Sequence, residues 1–158
     1  MSVAALPVAL ALAYHGDFLS HPGLSARAEW GHERPLGVNI EAEAGAYWHP
    51  NLMVAVFART GPALRWTRPH GGTYGAFVNV GFEHGFWAAP TWRVVDGEVS
   101  RAWLAGDSWG TASTGVELGH TVAKGAVGAW FVRPQVGLRF PTFHGVGVDL
   151  AVAGGVRF

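Results

Sequence analysis

The sequence predicts an all-β chain folded as a closed, antiparallel, eight-stranded, up-and-down transmembrane barrel. Three observations carry that expectation. Large apolar residues recur at every second position in eight separate stretches, the period that puts them on one face of a strand. No Asp, Glu, Lys or Arg falls on that parity in any of the eight. The aromatic residues on it gather at the two ends of the stretches.

In chain order, Val8, Leu10, Leu12 and Tyr14 alternate with Ala9, Ala11 and Ala13. In the second stretch Leu24, Ala26, Ala28 and Trp30 oppose Ser25, Arg27 and Glu29. The third sets Val38, Ile40, Ala42, Ala44, Ala46 and Trp48 against Asn39, Glu41, Glu43 and Gly45. In the fourth, Leu52, Val54, Val56, Ala58, Leu64 and Trp66 oppose Arg59 and Arg65. The fifth has Tyr74, Ala76, Val78, Val80, Phe82 and Phe86 against Phe77, Asn79 and Glu83. The sixth is shorter, with Val116, Leu118 and Val122 against Ser113, Glu117 and Thr121. The seventh sets Trp130, Val132, Val136, Leu138 and Phe140 against Arg133, Gln135 and Arg139. The last, VGVDLAVAGGVRF, sets Val146, Val148, Leu150, Val152, Val156 and Phe158 against Asp149, Ala151, Ala153 and Arg157. Pro134 and Pro62 cannot donate to a strand ladder, so a bulge is expected at each, the second beyond the membrane.

With both termini on one side, the connections sort into two sets. HERPLG (32–37), RPHGG (68–72) and AKGAVG (123–128) lie on the terminal side. GDFLSHPG (16–23), HPN (49–51), residues 87–110 and PTFHG (141–145) lie on the other. Within 87–110, Asp96-Gly97 between WRVV and EVSRAW signals a hairpin. Its arms are too short to span a membrane, so it is expected to project from a single domain covering 1–158.

Composition agrees with strands: 23 glycines and 13% aromatic residues in 158. Balanced charge, 11 basic against 11 acidic, gives no field for nucleic acid. Lys124 is the one lysine beside ten arginines, an unusual surface for a soluble domain. The absence of Cys excludes disulfides and thiolate metal sites. In MSVAALPVALALAY, Ala11-Leu12-Ala13 resembles a signal-peptidase site. It is read instead as the first strand of a mature chain, with Met1 in place of a removed signal peptide.

Which face meets solvent decides the class. A soluble lipocalin-like barrel binding a small hydrophobic ligand would turn the apolar parity inward. A membrane barrel turns it toward lipid. In the second case Arg27, Glu29, Glu41, Glu43, Arg59, Arg65, Glu83, Glu117, Arg133, Arg139 and Asp149 pack inside as a near-neutral network, as the cost of burying charge requires. The aromatics then form two girdles: Trp30, Trp66, Tyr74, Trp130 and Phe158 at the terminal ends, and Tyr14, Trp48, Phe86 and Phe140 at the others. Trp130 to Phe140 spans roughly 25 Å at a tilt near 40°, the height of an outer-membrane apolar band. Both tests favour lipid.

With its last strand ending on Val152, Val156 and Phe158, the chain resembles the small outer-membrane β-barrel proteins of Gram-negative bacteria. Gly154 is the one weak position in that match. The resemblance implies an outer-membrane location, surrounding lipid, a monomer, and recognition of the C-terminal strand by the barrel-assembly machinery. It implies no activity. YHGDFLSHPGLSARAEW is similar to the first hairpin of uncharacterised bacterial barrel proteins.

Eight strands enclose a lumen that side chains can fill, so a wide pore is not expected and a structural or loop-mediated role is. Glu41 and Glu43 lie two apart on one face, where acids can share a proton, though salt bridges to Arg27, Arg59 or Arg133 are the preferred reading. His15, His21, His49 and His144, with Asp17 and Asp107, map to one rim and are candidates for zinc or copper. No metal-binding motif fixes their geometry, and loop histidines without metal or cofactor are preferred. His84 and His120 fall on the lipid parity near strand ends. His84 with Ser108 or Ser113 and Asp107 is the best set for a lipid-modifying hydrolase or acyltransferase, with a non-enzyme preferred. Trp92, Trp103 and Trp109, beside Arg93, Arg101 and Asp107, are either exposed anchors for a partner or pack on one another.

Overall fold

A computed structural model describes residues 8–16, 21–31, 36–49, 52–102, 105–122, 128–142 and 145–158, with the backbone alone at 8–10, 12–16, 93, 95, 102, 142 and 145. Its regular elements are all β: β1 (Val8–Gly16), β2 (His21–Gly31), β3 (Leu36–His49), β4 (Met53–Thr67), β5 (Gly72–Trp87), β6 (Thr91–Val95), β7 (Glu98–Ala102), β8 (Gly106–Thr121), β9 (Ala129–Thr142) and β10 (Gly145–Arg157). Neighbouring strands pair antiparallel and up-and-down in the order β1-β10-β9-β8-β5-β4-β3-β2. β1 pairs on one side with β2, Leu12 opposite Leu24, and on the other with β10, Leu12 opposite Gly154, so the sheet returns on itself.

β6 and β7 form a separate two-stranded sheet in the connection from β5 to β8. Their turn holds Asp96 at φ 53° and Gly97 at φ 85°. Two successive positive φ values make the tight turn whose twist matches paired strands, and Asp-Gly is a favoured pair for it.

β8 starts earlier than its sequence pattern shows. It begins at Gly106, opposite Phe86, so the outer connection covers 88–105 and not 87–110. The reason is legible afterwards. Positions 106, 108, 110 and 112 on the lipid parity are Gly, Ser, Gly and Ala, with no large residue to mark a period, while the 16-residue β5 still needs a partner along its length.

The bulges expected at Pro62 and Pro134 are absent. Around Pro62 the register holds from Thr60 opposite Val80 to Ala63 opposite Phe77. Around Pro134 it holds from Gly115 opposite Gln135 to Leu118 opposite Val132. Each proline interrupts pairing on one side and keeps its partner on the other, Ile40 and Val152 respectively. A missing N–H therefore opens the ladder without inserting a residue. Beside Pro62 the strands come close: a Cβ on Gly61 would lie 1.9 Å from the Val78 carbonyl oxygen. Gly61→Ala must push β4 from β5, and a loss of about 1–3 kcal/mol is expected in a urea titration.

Alternation along the strands separates the faces completely. Leu24, Val38, Ile40 and Val148 are each about 60% exposed, whereas Glu41 and Glu83 are 0% exposed. The apolar parity faces out and the charged parity faces in. This overturns the lipocalin-like alternative, because among the described residues the inward face carries the carboxylates and guanidinium groups while the large apolar side chains of the other parity are exposed. Of the girdle residues, Trp30, Trp66, Tyr74, Trp130 and Phe158 are exposed toward the terminal end, and Trp48 and Phe140 toward the far end. Phe86 is half-buried, and the side chain of Tyr14 lies outside the described residues. Trp66 and Tyr74 sit 6.0 Å apart with the Arg68 guanidinium over both rings, the arrangement of a cationic side chain reaching out from an apolar belt.

Candidate functional site

The inward parity builds two charge clusters. In the half nearer the termini, Glu117 faces Arg27 (2.7 Å), Arg157 (2.8 Å), Arg65 (3.3 Å) and Arg133 (3.7 Å). Glu29 joins Arg65 (2.5 Å), Arg27 (3.0 Å) and Arg157 (3.2 Å). Glu41 receives both amino groups of Arg133 and the amide of Asn79. In the other half, Glu83 meets Arg139 (3.2 Å) and Arg59 (3.6 Å), Arg139 reaches Asp149 (3.4 Å), and Tyr47 donates its hydroxyl to Glu83 at 2.5 Å. Glu43 sits between the clusters. It is opposite Arg27 and Arg59 in register, yet among the described residues it makes no ion pair within 4.0 Å.

Each sign is balanced. The lumen holds Arg27, Arg59, Arg65, Arg133, Arg139 and Arg157 against Glu29, Glu41, Glu43, Glu83, Glu117 and Asp149. Aromatic rings fill the gaps between them. Arg27 and Arg157 lie over Phe131, Arg59 over Phe57, Arg133 over Phe77 and Arg139 over Tyr47. A guanidinium stacks on a ring face while keeping its in-plane N–H groups for carboxylates, so one side chain serves both neighbours. Small residues on the facing wall, Ala11, Ser25, Ala151 and Ala153, leave room for these long groups.

Sequence reasoning put all eleven expected charges, and Arg157 beside them, on the inward face, but it left Arg157 out of the ion network and missed Tyr47, Phe57 and Phe131. The parity itself carried the signal. Tyr47 lies between Ala46 and Trp48, Phe131 between Trp130 and Val132, and Arg157 shares the face of Asp149.

At the far end Tyr47, Met53, Ala55 and Phe57 form a buried cluster with Trp109 against it. Trp109 is therefore part of the lumen and not of the hairpin. Trp92 is 63% exposed on β6, so these two tryptophans do not pack on one another. Trp103 and the Arg93 side chain lie outside the described residues. The rings of His21 and His49 stack at 4.0 Å, and the backbone of His15 pairs with that of His21. Stacked rings meet by their faces and do not aim two nitrogens at one ion. Among the described residues no group of three potential ligands comes together. The His15 side chain, Asp17 and His144 lie outside them.

On the lipid parity, β5 and β8 place His84 opposite Ser108. The imidazole Nδ1 and the hydroxyl oxygen are 2.7 Å apart, and the imidazole ring stands edge-on to Phe86 at 4.4 Å. Asp107 is next in sequence to Ser108 and so points to the opposite face, while Ser113 is buried inside the lumen. The expected triad is thus reduced to a pair. His120, also on the lipid parity, donates from Nδ1 to the Thr121 carbonyl at the terminal end.

No protein-family model and no curated protein matches the chain. Solved structures do. The N-terminal β-barrel domain of Pseudomonas aeruginosa OprF aligns with a TM-score of 0.56 at 12% identity, over 96% of this chain and 97% of that one. This is the fold of the small outer-membrane β-barrels. Neisserial surface protein A aligns at 0.55 and 12% identity, over 96% of this chain and 94% of that one. The outer membrane enzyme PagL aligns at 0.52 and 12% identity, over 95% and 98%.

Proposed function

We propose that the chain is a closed, eight-stranded, monomeric barrel of the bacterial outer membrane, sealed across its lumen and working as a scaffold for the β6–β7 hairpin. The single observation behind the seal is the pair of ion clusters interleaved with Phe57, Phe77 and Phe131. Three features support the membrane reading: the outward apolar band, the two aromatic girdles and the balanced interior. β10, with Val156 and Arg157 at its end and Phe158 after it, is the segment offered to the assembly machinery. In planar bilayers the refolded protein is expected to show no unitary conductance steps. Steady ion-selective channels would sink the sealed reading.

The hairpin is the part proposed to bind. Trp92 pairs with Arg101 and Val94 with Val99, and Trp92, Val94 and Val99 are each more than 60% exposed. An aromatic flanked by aliphatic residues and an arginine is the usual composition of an interface anchor. Because β6 and β7 form their own sheet, replacing residues 89–104 with a short turn should change barrel stability by less than about 1 kcal/mol. Urea unfolding of the two proteins side by side checks this.

A second reading rests on the His84–Ser108 contact. A serine hydroxyl whose proton can pass to an adjacent imidazole is the core of a lipid-ester hydrolase, and PagL is described as an outer membrane enzyme. Against it, no carboxylate pairs with His84 among the described residues. Release of fatty acid from vesicle lipid, lost in Ser108→Ala, would establish the activity. Equal release by both proteins, or none, removes it.

A further inference from the structure

Beside the His84–Ser108 pair the outer surface is hollowed. Ala26 and Ala28 on β2, Ala42 and Ala44 on β3, and Ala58 and Thr60 on β4 adjoin one another in register. Val80 and Phe82 on β5 border this floor on one side, leaving a shallow, open groove of about 570 Å³. The exposed side chains of Leu24 and Val56 stand above it, and those of Trp30 and Ile40 below. A recess of this size among bulky neighbours falls in the range of ligand pockets.

The polar pair lies just beyond one end. His84 is two residues past Phe82 on the same face of β5, and Ser108 is its partner on β8. In register they fall between Phe86, opposite Gly106, and Phe140, opposite Gly110. That is the level of the far-end girdle, where hydrocarbon gives way to the polar part of the bilayer.

Hydrogen-bond counting then specifies the ligand. A neutral imidazole and a hydroxyl carry one N–H and one O–H between them, and their mutual contact uses one. If the hydroxyl donates to Nδ1, the proton on Nε2 is left over. If Nδ1–H donates, the hydroxyl proton is left over. Nε2 is approachable because Gly106 has no side chain there: a Cβ on it would stand 3.0 Å away. Among the described residues one donor therefore remains unmatched on an otherwise apolar surface, where it is costly unless an acceptor arrives.

The geometry points to a binding site for an ester-linked outer-leaflet lipid, its acyl chain in the alanine groove and its ester carbonyl accepting from the His84–Ser108 pair. This rests on the membrane reading above and not on hydrolysis.

The test uses the full chain refolded in detergent, titrated separately with a diester phosphatidylethanolamine and with its diether analogue, and read by native mass spectrometry. The diether keeps the chains and headgroup but has no carbonyl. The natural chain should retain the diester about tenfold more tightly, a single hydrogen bond in an apolar setting. His84→Ala and Ser108→Ala should each reduce that preference to twofold or less. Ala44→Phe, which fills the groove, should weaken both lipids together. Unboiled gel mobility confirms that each variant is folded.

Equal retention of the two lipids by the natural chain, or an unchanged preference in both polar variants, overturns the site. A protein that is soluble without detergent and shows no mobility shift on boiling overturns the membrane reading itself. Intact diester in the complex, with no loss of an acyl chain, supports binding and removes the hydrolytic reading.

Discussion

Replacing Glu117 with Gln is expected to destabilise the folded barrel by about 3–5 kcal/mol, the loss that follows when one partner of a buried charge pair is removed. Glu117 touches Arg27, Arg65 and Arg157 and faces Arg133. Without its charge, four guanidinium groups are left to share Glu29 and Glu41. In urea the unfolding midpoint of vesicle-inserted protein should fall by roughly 1–3 M with an unchanged slope. Glu43→Gln is the matched control. It neutralises a carboxylate on the same face that makes no ion pair within 4.0 Å among the described residues, and its effect should be at least threefold smaller. Equal effects for the two would mean that the network acts only through total charge and not through its contacts.

Val80→Arg is expected to cost about 2–4 kcal/mol, the penalty for a cation near the bilayer midplane on the lipid face of a barrel. Val80 is 57% exposed and lies near the middle of β5. In a water-soluble barrel the same change would be close to neutral, since an exposed valine gains a solvated side chain. Refolding yield into vesicles, followed by the boiled and unboiled gel positions, separates these outcomes. An undiminished yield would argue that this face does not meet lipid.

The sequence was sufficient for the architecture wherever large residues marked the parity. The stretch from Val38 to Trp48 declares its two faces by alternating alkyl or indole groups with Asn39, Glu41 and Glu43, and the structure buries and exposes them accordingly. Where the lipid-facing positions are small, as at Gly106, Ser108 and Gly110, the same rule goes silent and the strand disappears into an apparent loop. Only its pairing with β5 reveals it.

The site divides along the same line. A two-residue period determines which face a side chain takes, because that is a local property of the backbone. It does not determine which strands lie side by side, or how far along each other they slide. That Glu117 meets Arg27, ninety residues away, that Glu43 is passed over, and that His84 finds Ser108 are consequences of register. Register is fixed collectively, by the ladder around the whole sheet and by the fit of arginines onto phenylalanines within the lumen.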